Sequence, residues 1–328
     1  MKKNELNITF KSNSLNGSTV KSTEILQELW SGYGSIKRIY LDNNTCYNSI
    51  IAKHINADSL KSHPRGWSND FSHQRKLSSY QIELEFFENW AMLCQDECKV
   101  PKLIEVQKQS KSNFIIYMED MNEIGFPSTF QEITWEQAKA CIKWLANFHA
   151  TFLNKEPKGL WETGTYWHLN TRPNELKSMP ESSLKKNAAF IDRKLSSGKY
   201  KTFVHGDAKL ANFCFSQNGD KAGAVDFQYV GGGCGMKDLA YFIGSCMNEK
   251  ECFQYEKDVL DFYFNELQKA LTVLDIRFNF SELESEWRQL YPFAWADFER
   301  FLLGWSPNHW KLNQYSQIMT NKALDIVH

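Results

Sequence analysis

His205, Asp207, Lys209 and Asn212 are closely spaced in Phe203-Val-His-Gly-Asp-Ala-Lys-Leu-Ala-Asn-Phe-Cys-Phe215, and Asp226 follows in Gly223-Ala-Val-Asp-Phe-Gln228. Apolar residues bracket them: Phe203 and Val204, then Phe213 and Phe215, then Ala224, Val225 and Phe227. The pattern predicts two short buried strands with a polar loop before the first, joined by a turn at Ser216-Gln-Asn-Gly-Asp220. A loop held by two strands can set two carboxylates and an amide around one point. That set suits phosphoryl transfer, in which one carboxylate orients a hydroxyl and takes its proton. A second carboxylate and an amide oxygen hold Mg²⁺. Singly, Asp207, Asn212 and Asp226 read as turn, cap or loop residues; it is their joint spacing that points to chemistry.

The elements that must position this set differ between the two parts of the chain. Ile25 to Trp30, Ile36 to Leu41 and Ser49 to Ile55 are apolar-rich runs, separated by Gly32-Tyr-Gly34 and Asp42-Asn-Asn44, and read as a short β-meander. Residues 61–77 are polar and contain Pro and Gly, which predicts a loop. Ser78 to about Cys94 is expected to be a helix, with a Ser78/Gln81 capping box and an apolar stripe through Tyr80, Leu84, Phe87, Ala91 and Cys94. Val100 to Val106 and Phe114 to Met118 read as two further strands.

From Glu119 onward the periodicity is helical. Thr134 and Gln137 form a second capping box, and Ala138, Ile142, Leu145, His149 and Phe152 share one face. Met236–Met247, Phe253–Leu274 and Ser281–Leu303 are further helices, the last expected to break at Pro292. The predicted class is α+β: a small antiparallel β lobe with one helix over residues 1–118, and a larger, mainly helical lobe over residues 119–328.

Composition narrows the partners. The chain has 328 residues, 42% hydrophobic and 23% charged, enough for two substantial cores. Lys plus Arg (38) nearly cancels Asp plus Glu (39), which argues against a dedicated nucleic-acid or membrane-surface binder. No apolar run approaches the ~20 residues that span a bilayer, and Met1 to Ser14 has no secretory pattern. Eight cysteines spread over this length are expected to be reduced core thiols, as in a cytoplasmic protein. Cys94 and Cys98 have no matching Cys/His pair close by in the sequence.

The spacing His205-x-Asp207-x4-Asn212, with Asp226 after a strand, resembles the catalytic loop of the protein-kinase-like fold. His-Gly-Asp at 205–207 is similar to aminoglycoside phosphotransferases and choline kinases. Asp226-Phe-Gln228 followed by Asp238-Leu-Ala-Tyr-Phe-Ile resembles the ecdysteroid-kinase-like branch most closely. This resemblance implies a bilobal kinase-like fold that uses ATP and Mg²⁺. It implies that Asp207 orients the acceptor hydroxyl and takes its proton, and that Asn212 and Asp226 ligate Mg²⁺. Lys209 is a candidate to neutralise the transferring phosphoryl group, with a solvated lysine as the alternative. His205 is implied to support the loop and Asp238 to stabilise the large lobe; Asp238 also reads as a helix N-cap.

The fold also implies a strand lysine and a helix glutamate. Lys53 ends the apolar run of Asn48-Ser-Ile-Ile-Ala-Lys-His54, similar to the Val-Ala-Ile-Lys pattern of kinases. Glu83, Glu85 and Glu88 compete as its partner. At about 100° per residue Glu83 lies at the edge of the Tyr80/Leu84/Phe87 stripe, and the family pattern in Glu83-Leu-Glu-Phe-Phe87 selects the same residue. Ser31-Gly-Tyr-Gly-Ser35 could cover phosphates through Gly32, Gly34 and the amide of Ser35, although Lys37 replaces the third glycine and a plain hairpin turn is the alternative. There is no Walker A sequence. Ile115 to Met121 resembles a hinge, with backbone groups of Glu119 and Met121 facing adenine.

These features predict a small-molecule kinase that phosphorylates an alcohol. Trp287, Tyr291, Phe293, Trp295, Phe298, Phe301, Trp305 and Trp310, with Asp297 and Glu299, form an aromatic C-terminal part. Such a set would suit a choline-like cation or a flat sterol-like alcohol, or would simply be core; amino sugars complete the acceptor classes. A nucleotide- or ligand-binding pseudokinase is the alternative. The glycine-rich stretch from Asp226 to Asp238 leaves little room for a peptide platform.

Overall fold

The computed structural model describes residues 10–29, 32–44, 46–57 and 70–326. Trp30, Ser31, residues 61–69 of the expected loop and residues 1–9 lie outside them. Five strands form one antiparallel sheet in the order β1-β2-β3-β5-β4: β1 (Thr19–Glu28), β2 (Gly34–Asp42), β3 (Ser49–Asn56), β4 (Leu103–Lys108) and β5 (Asn113–Glu119). Alternation of side chains splits the sheet between two cores. Leu15, Ile39, Leu41, Ile50, Ala52 and Tyr117 pack on one face. Ile55, Phe114 and Ile116 face the other, against Tyr80, Leu84 and Phe87 of helix α1 (Asp70–Asn89). β1 begins well before the expected Ile25. It is an edge strand exposed along nearly its whole length, so its first half carries no apolar alternation to read.

Helix α1 corrects the sequence reading at both ends. It starts at Asp70, inside the expected loop, and stops at Asn89, with Ala91–Leu93 continuing as a single 3-10 turn. Ser78 lies mid-helix, so the Ser78/Gln81 capping box does not exist; the Gln81 amide donates instead to the Lys111 carbonyl. The early turns were illegible because His73, Arg75 and Lys76 break the apolar stripe. Their polar groups are taken up by other segments of the protein: Tyr33, the Thr171 carbonyl and Gln228.

The larger part is helical. α2 (Trp135–Thr151) has the expected Thr134/Gln137 capping box, and its Ala138, Ile142, Leu145 and His149 are buried. After it come the short helices α3 (Pro173–Ser178), α4 (Ser183–Lys186) and α5 (Ala188–Ser196). β6 (Thr202–Val204), β7 (Phe213–Phe215), β8 (Ala222–Ala224) and β9 (Gly231–Gly233) make two small antiparallel pairs, β6 with β9 and β7 with β8. α6 (Met236–Cys246), α7 (Glu249–Val273), α8 (Phe280–Trp305) and α9 (Gln314–Asp325) complete the chain. Pro292 does not break α8. It removes one backbone hydrogen bond, but Tyr291, Phe293, Ala294 and Trp295 around it are all buried, and that packing holds the helix through it.

An aromatic stack ties the sheet side to the helical side. Phe86 of α1 lies 4.2 Å, ring to ring, from Phe227, which lies 4.6 Å from His205. Trp144 and Phe148 of α2 flank them. Among the described residues no helix is long and apolar enough to cross a membrane.

Candidate active site

The polar loop leaves β6 at Val204 and must turn at once. Gly206 does this with φ +79°, and a Cβ there would sit 2.1 Å from the Tyr229 carbonyl oxygen, so only glycine fits. The backbone amides of His205 and Gly206 both donate to Asp238, at 2.5 and 3.0 Å. His149 Nε2 also lies 3.2 Å from Asp238 Oδ2. Asp238 is not the N-cap of α6, which is Gly235; it lies within the first turn and fastens the loop backbone. Asp238→Ala strands these buried donors and is expected to lower unfolding stability by about 3–5 kcal/mol in urea titration; a loss under 1 kcal/mol would mean the loop has other anchors.

His205 completes the loop. Its Nε2 faces the Val225 carbonyl at 3.1 Å and its Nδ1 accepts from the Asp207 amide at 3.2 Å, so the proton sits on Nε2. The imidazole thereby links the backbone at Asp207 to the residue before Asp226.

Asp207 is buried and accepts three side-chain hydrogen bonds, only one of them at Oδ1. Oδ2 accepts from Lys209 Nζ (3.0 Å) and Asn212 Nδ2 (3.1 Å), and Oδ1 accepts from the Tyr241 hydroxyl (3.2 Å). Burial pushes its carboxyl upward, Lys209 pulls it back, and the charge of Asp226 adds to the rise. Lys209, whose side chain remains 39% exposed, is itself raised because Asp207 outweighs its burial. The two ends of this pair thus differ: the lysine keeps water, whereas the carboxylate loses it and faces a like charge.

Asp226 sits at φ +70°, in the left-handed region that an L residue other than Asn, Asp or Gly rarely occupies. Its Oδ1 accepts from Lys53 Nζ at 3.0 Å and from the Gln228 amide at 2.7 Å. The same ammonium lies 2.8 and 2.6 Å from the two oxygens of Glu83. Lys53 therefore joins β3, α1 and the Asp226 segment. Burial opposes the charge on Asp226, but Lys53, Lys76 and Lys209 together hold its carboxyl below the usual range. Burial likewise works against Lys53, and Asp226 and Glu83 outweigh it. Glu85 and Glu88 are elsewhere, bonded to Asn89 and Lys108.

The remaining expected residues are placed less uniformly. Gly34 has φ +138°, and a Cβ would meet the His54 carbonyl at 1.9 Å, so the close β2–β3 approach already demands glycine. Gly32 and Gly34 close a hairpin through Gly32 N–H to Leu29 and Leu29 N–H to Gly34, and Ser35 is buried in the sheet. Tyr33 between the glycines bonds His73 and packs on Tyr80, beside Lys53. Ser31 lies outside the described residues. The Glu119 amide is taken by Lys102, and the Met121 carbonyl accepts from Phe126; among the described residues the Met121 amide has no acceptor. The Met121 side chain packs on Gly223 of β8.

Sequence reasoning missed several partners. Tyr241 stands one helical turn after Asp238 and was readable only as an apolar-face residue. Lys76 and Ser79 of α1 both bond the Gln228 amide oxygen, locking that helix to the Asp226 segment. Asp120 accepts from Arg38, Ser49 and the Asn122 amide, fixing the connector after β5. Of the C-terminal set, Trp287, Tyr291, Phe293 and Trp295 are core. Asp297 is buried and consumed by Arg300, Lys237 and Trp167, and Glu299 is buried. Phe298 and Phe301 pack with Trp167 and Tyr241, near Asp207, while Trp305 and Trp310 are exposed.

The model of the ecdysteroid kinase-like family matches residues 163–276, the stretch that carries Asp207, Asn212, Asp226 and Asp238. No curated protein sequence matches the chain. Among solved structures, a microcompartment-associated aminopropanol kinase is similar at 14% identity, covering 92% of this chain and 89% of that one with a TM-score of 0.51. A choline kinase from Streptococcus pneumoniae (14% identity, 93% and 92% covered, TM-score 0.47) is also similar. So is an ethanolamine kinase from Plasmodium vivax (11% identity, 92% and 81% covered, TM-score 0.48). The chain has the protein-kinase-like bilobal fold, and the resemblance carried by its central motifs extends to the ecdysteroid kinase-like family.

Proposed function

We propose that the protein is a small-molecule kinase that transfers the γ-phosphoryl group of ATP, with Mg²⁺, to an alcohol hydroxyl. The observation that carries this reading is the convergence of Asp207, held on three sides, with the Lys53–Glu83–Asp226 chain, whose Asp226 acts electrostatically on Asp207. In this reading residues 1–118 form the nucleotide lobe and residues 119–328 the lobe for catalysis and acceptor.

The donor set suits a hard cation. Asn212 spends its nitrogen on Asp207, which leaves its amide oxygen, and among the described residues no hydrogen bond reaches Asp226 Oδ2. Asn212 and Asp226 would hold Mg²⁺, which when bound neutralises charge on the phosphates. Lys53 is positioned by Glu83 to meet the phosphates, and the hairpin at Gly32, Gly34 and Ser35, whose Tyr33 packs on Tyr80 beside Lys53, would cover them with its backbone. Met121 offers its amide to adenine, with the backbone at Glu119 beside it. Asp207 receives the acceptor hydroxyl and its proton; its raised affinity for protons favours that role. Lys209 stabilises the charge moving past it.

The test is phosphoryl transfer from ATP, with Mg²⁺, across choline, ethanolamine, sterols, amino sugars and hydroxy acids, followed by phosphorus NMR. A phosphate monoester is expected with at least one class. Tight nucleotide binding without transfer to any of them would favour a nucleotide-binding protein without kinase activity.

A further inference from the structure

Lys311 lies in the connection between α8 and α9, and its ammonium sits over three aromatic rings. The distances are 4.7 Å to Tyr241, 5.5 Å to Phe298 and 5.5 Å to Trp310. Among the described residues no carboxylate or hydrogen-bond acceptor pairs with it. Tyr241 connects it to the chemistry, because the hydroxyl of that same ring donates to Asp207 at 3.2 Å. The connection is fixed by turn bonds from His309 to Ser306 and from Leu312 to His309, and by the Lys311 amide to His309 Nδ1.

An aromatic cage beside a kinase base would ordinarily suggest a quaternary ammonium ligand. Here the chain's own cation fills it. The acids of this stretch offer a second cation little, since Asp297 is neutralised by Arg300 and Lys237 and burial raises the Glu299 carboxyl toward its uncharged form. Lys209 adds positive charge on the other side of Asp207.

We propose that Lys311 selects the acceptor, and that the acceptor is an alcohol carrying an anionic group, which seats on Lys311 while its hydroxyl meets Asp207. This rests on the kinase reading for the hydroxyl, but the charge preference follows from Lys311 itself. A partly buried ammonium without a counter-ion gains on meeting one. Its withdrawal from water pulls it down to about 8, with Asp207 opposing and Lys209 adding to the fall, so it is mostly charged at pH 7.

Three alcohols of one shape test this: 4-(hydroxymethyl)benzoate, 4-methylbenzyl alcohol and 4-(aminomethyl)benzyl alcohol. Calorimetric binding to the full chain at pH 7 is read separately from ATP-dependent transfer to each. The carboxylate is expected to bind about tenfold or more tighter than the amine. Lys311→Met should abolish that ratio, and Lys311→Arg should keep it. Thermal melts show that both variants are folded. Amine binding as tight as the carboxylate, no carboxylate binding at millimolar concentration, or an unchanged ratio in Lys311→Met overturns the inference. If the binding preference holds but no probe is phosphorylated from ATP, the charge selection stands and the kinase reading is decided separately by the wider acceptor panel.

Discussion

Asp207→Asn is expected to lower phosphoryl-transfer turnover by about 10²–10⁴-fold while the melting temperature stays level or rises. The two halves have one cause. Asp207 is buried and faces Asp226, so the folded protein disfavours its charge even with Lys209 beside it. The ionised form, which takes the hydroxyl proton, is therefore kept against the preference of the fold. An amide has nearly the same shape, keeps an oxygen for Lys209 or Tyr241, and needs no counter-charge. The sign with pH agrees. A carboxyl raised in the folded state is destabilising above its unfolded value and becomes less so as pH falls and the proton is regained. Wild-type kcat/KM should then fall on the acid side at a pH above the ordinary aspartate value of 3.8, and any residual activity of Asp207→Asn should lack that limb. Turnover near the wild-type level would sink the assignment of the base. A drop of several degrees in melting temperature would sink the electrostatic argument.

What the sequence revealed follows from how local each signal was. His205, Asp207, Asn212 and Asp226 lie within one loop–hairpin unit, so spacing and apolar brackets suffice to bring them together. Lys53 and Glu83 are 30 positions apart, yet strand end and helix face pointed to the same pair that the structure joins. The early turns of α1 failed for the opposite reason: His73, Arg75 and Lys76 find their partners in other segments, and polarity there resembles a solvated loop. α3, α4 and α5 are too short for periodicity to speak. Pro292 misled because local backbone cost was weighed without the packing that surrounds it. Tyr241 and Lys311 are 70 residues apart and meet only through the approach of the α8–α9 connection to α6. The aromatic C-terminal set left a choline-like cation, a flat alcohol and plain core packing all open, because its sequence does not show that Asp297 is paired with Arg300 and Lys237 or that Lys311 reaches the Tyr241 ring.

Lys53→Met is expected to cost about 3–5 kcal/mol of unfolding stability and to weaken ATP binding. The Lys53 side chain is 4% exposed and that of Glu83 1%, and the ammonium also serves Asp226. Removing it leaves two carboxylates that already repel each other, one of them wholly inside the protein. Glu83 is raised even now, since burial exceeds what Lys53 restores, so without the lysine it should take up a proton. The deficit should accordingly shrink as pH falls, because a protonated Glu83 needs no partner. The double variant Lys53→Met with Glu83→Leu separates charge from packing. It removes the stranded acid and leaves Asp226 with Lys76 and Gln228, so most of the stability should return in urea titration while phosphoryl transfer does not. A double variant no more stable than Lys53→Met would mean the single change acts through lost packing. Wild-type ATP affinity and turnover in either variant would remove Lys53 from the site. The pair is thus expected to be worth little to the fold beyond what apolar residues would supply. Its worth lies in holding a charged ammonium, fixed by α1 through Glu83, against Asp226.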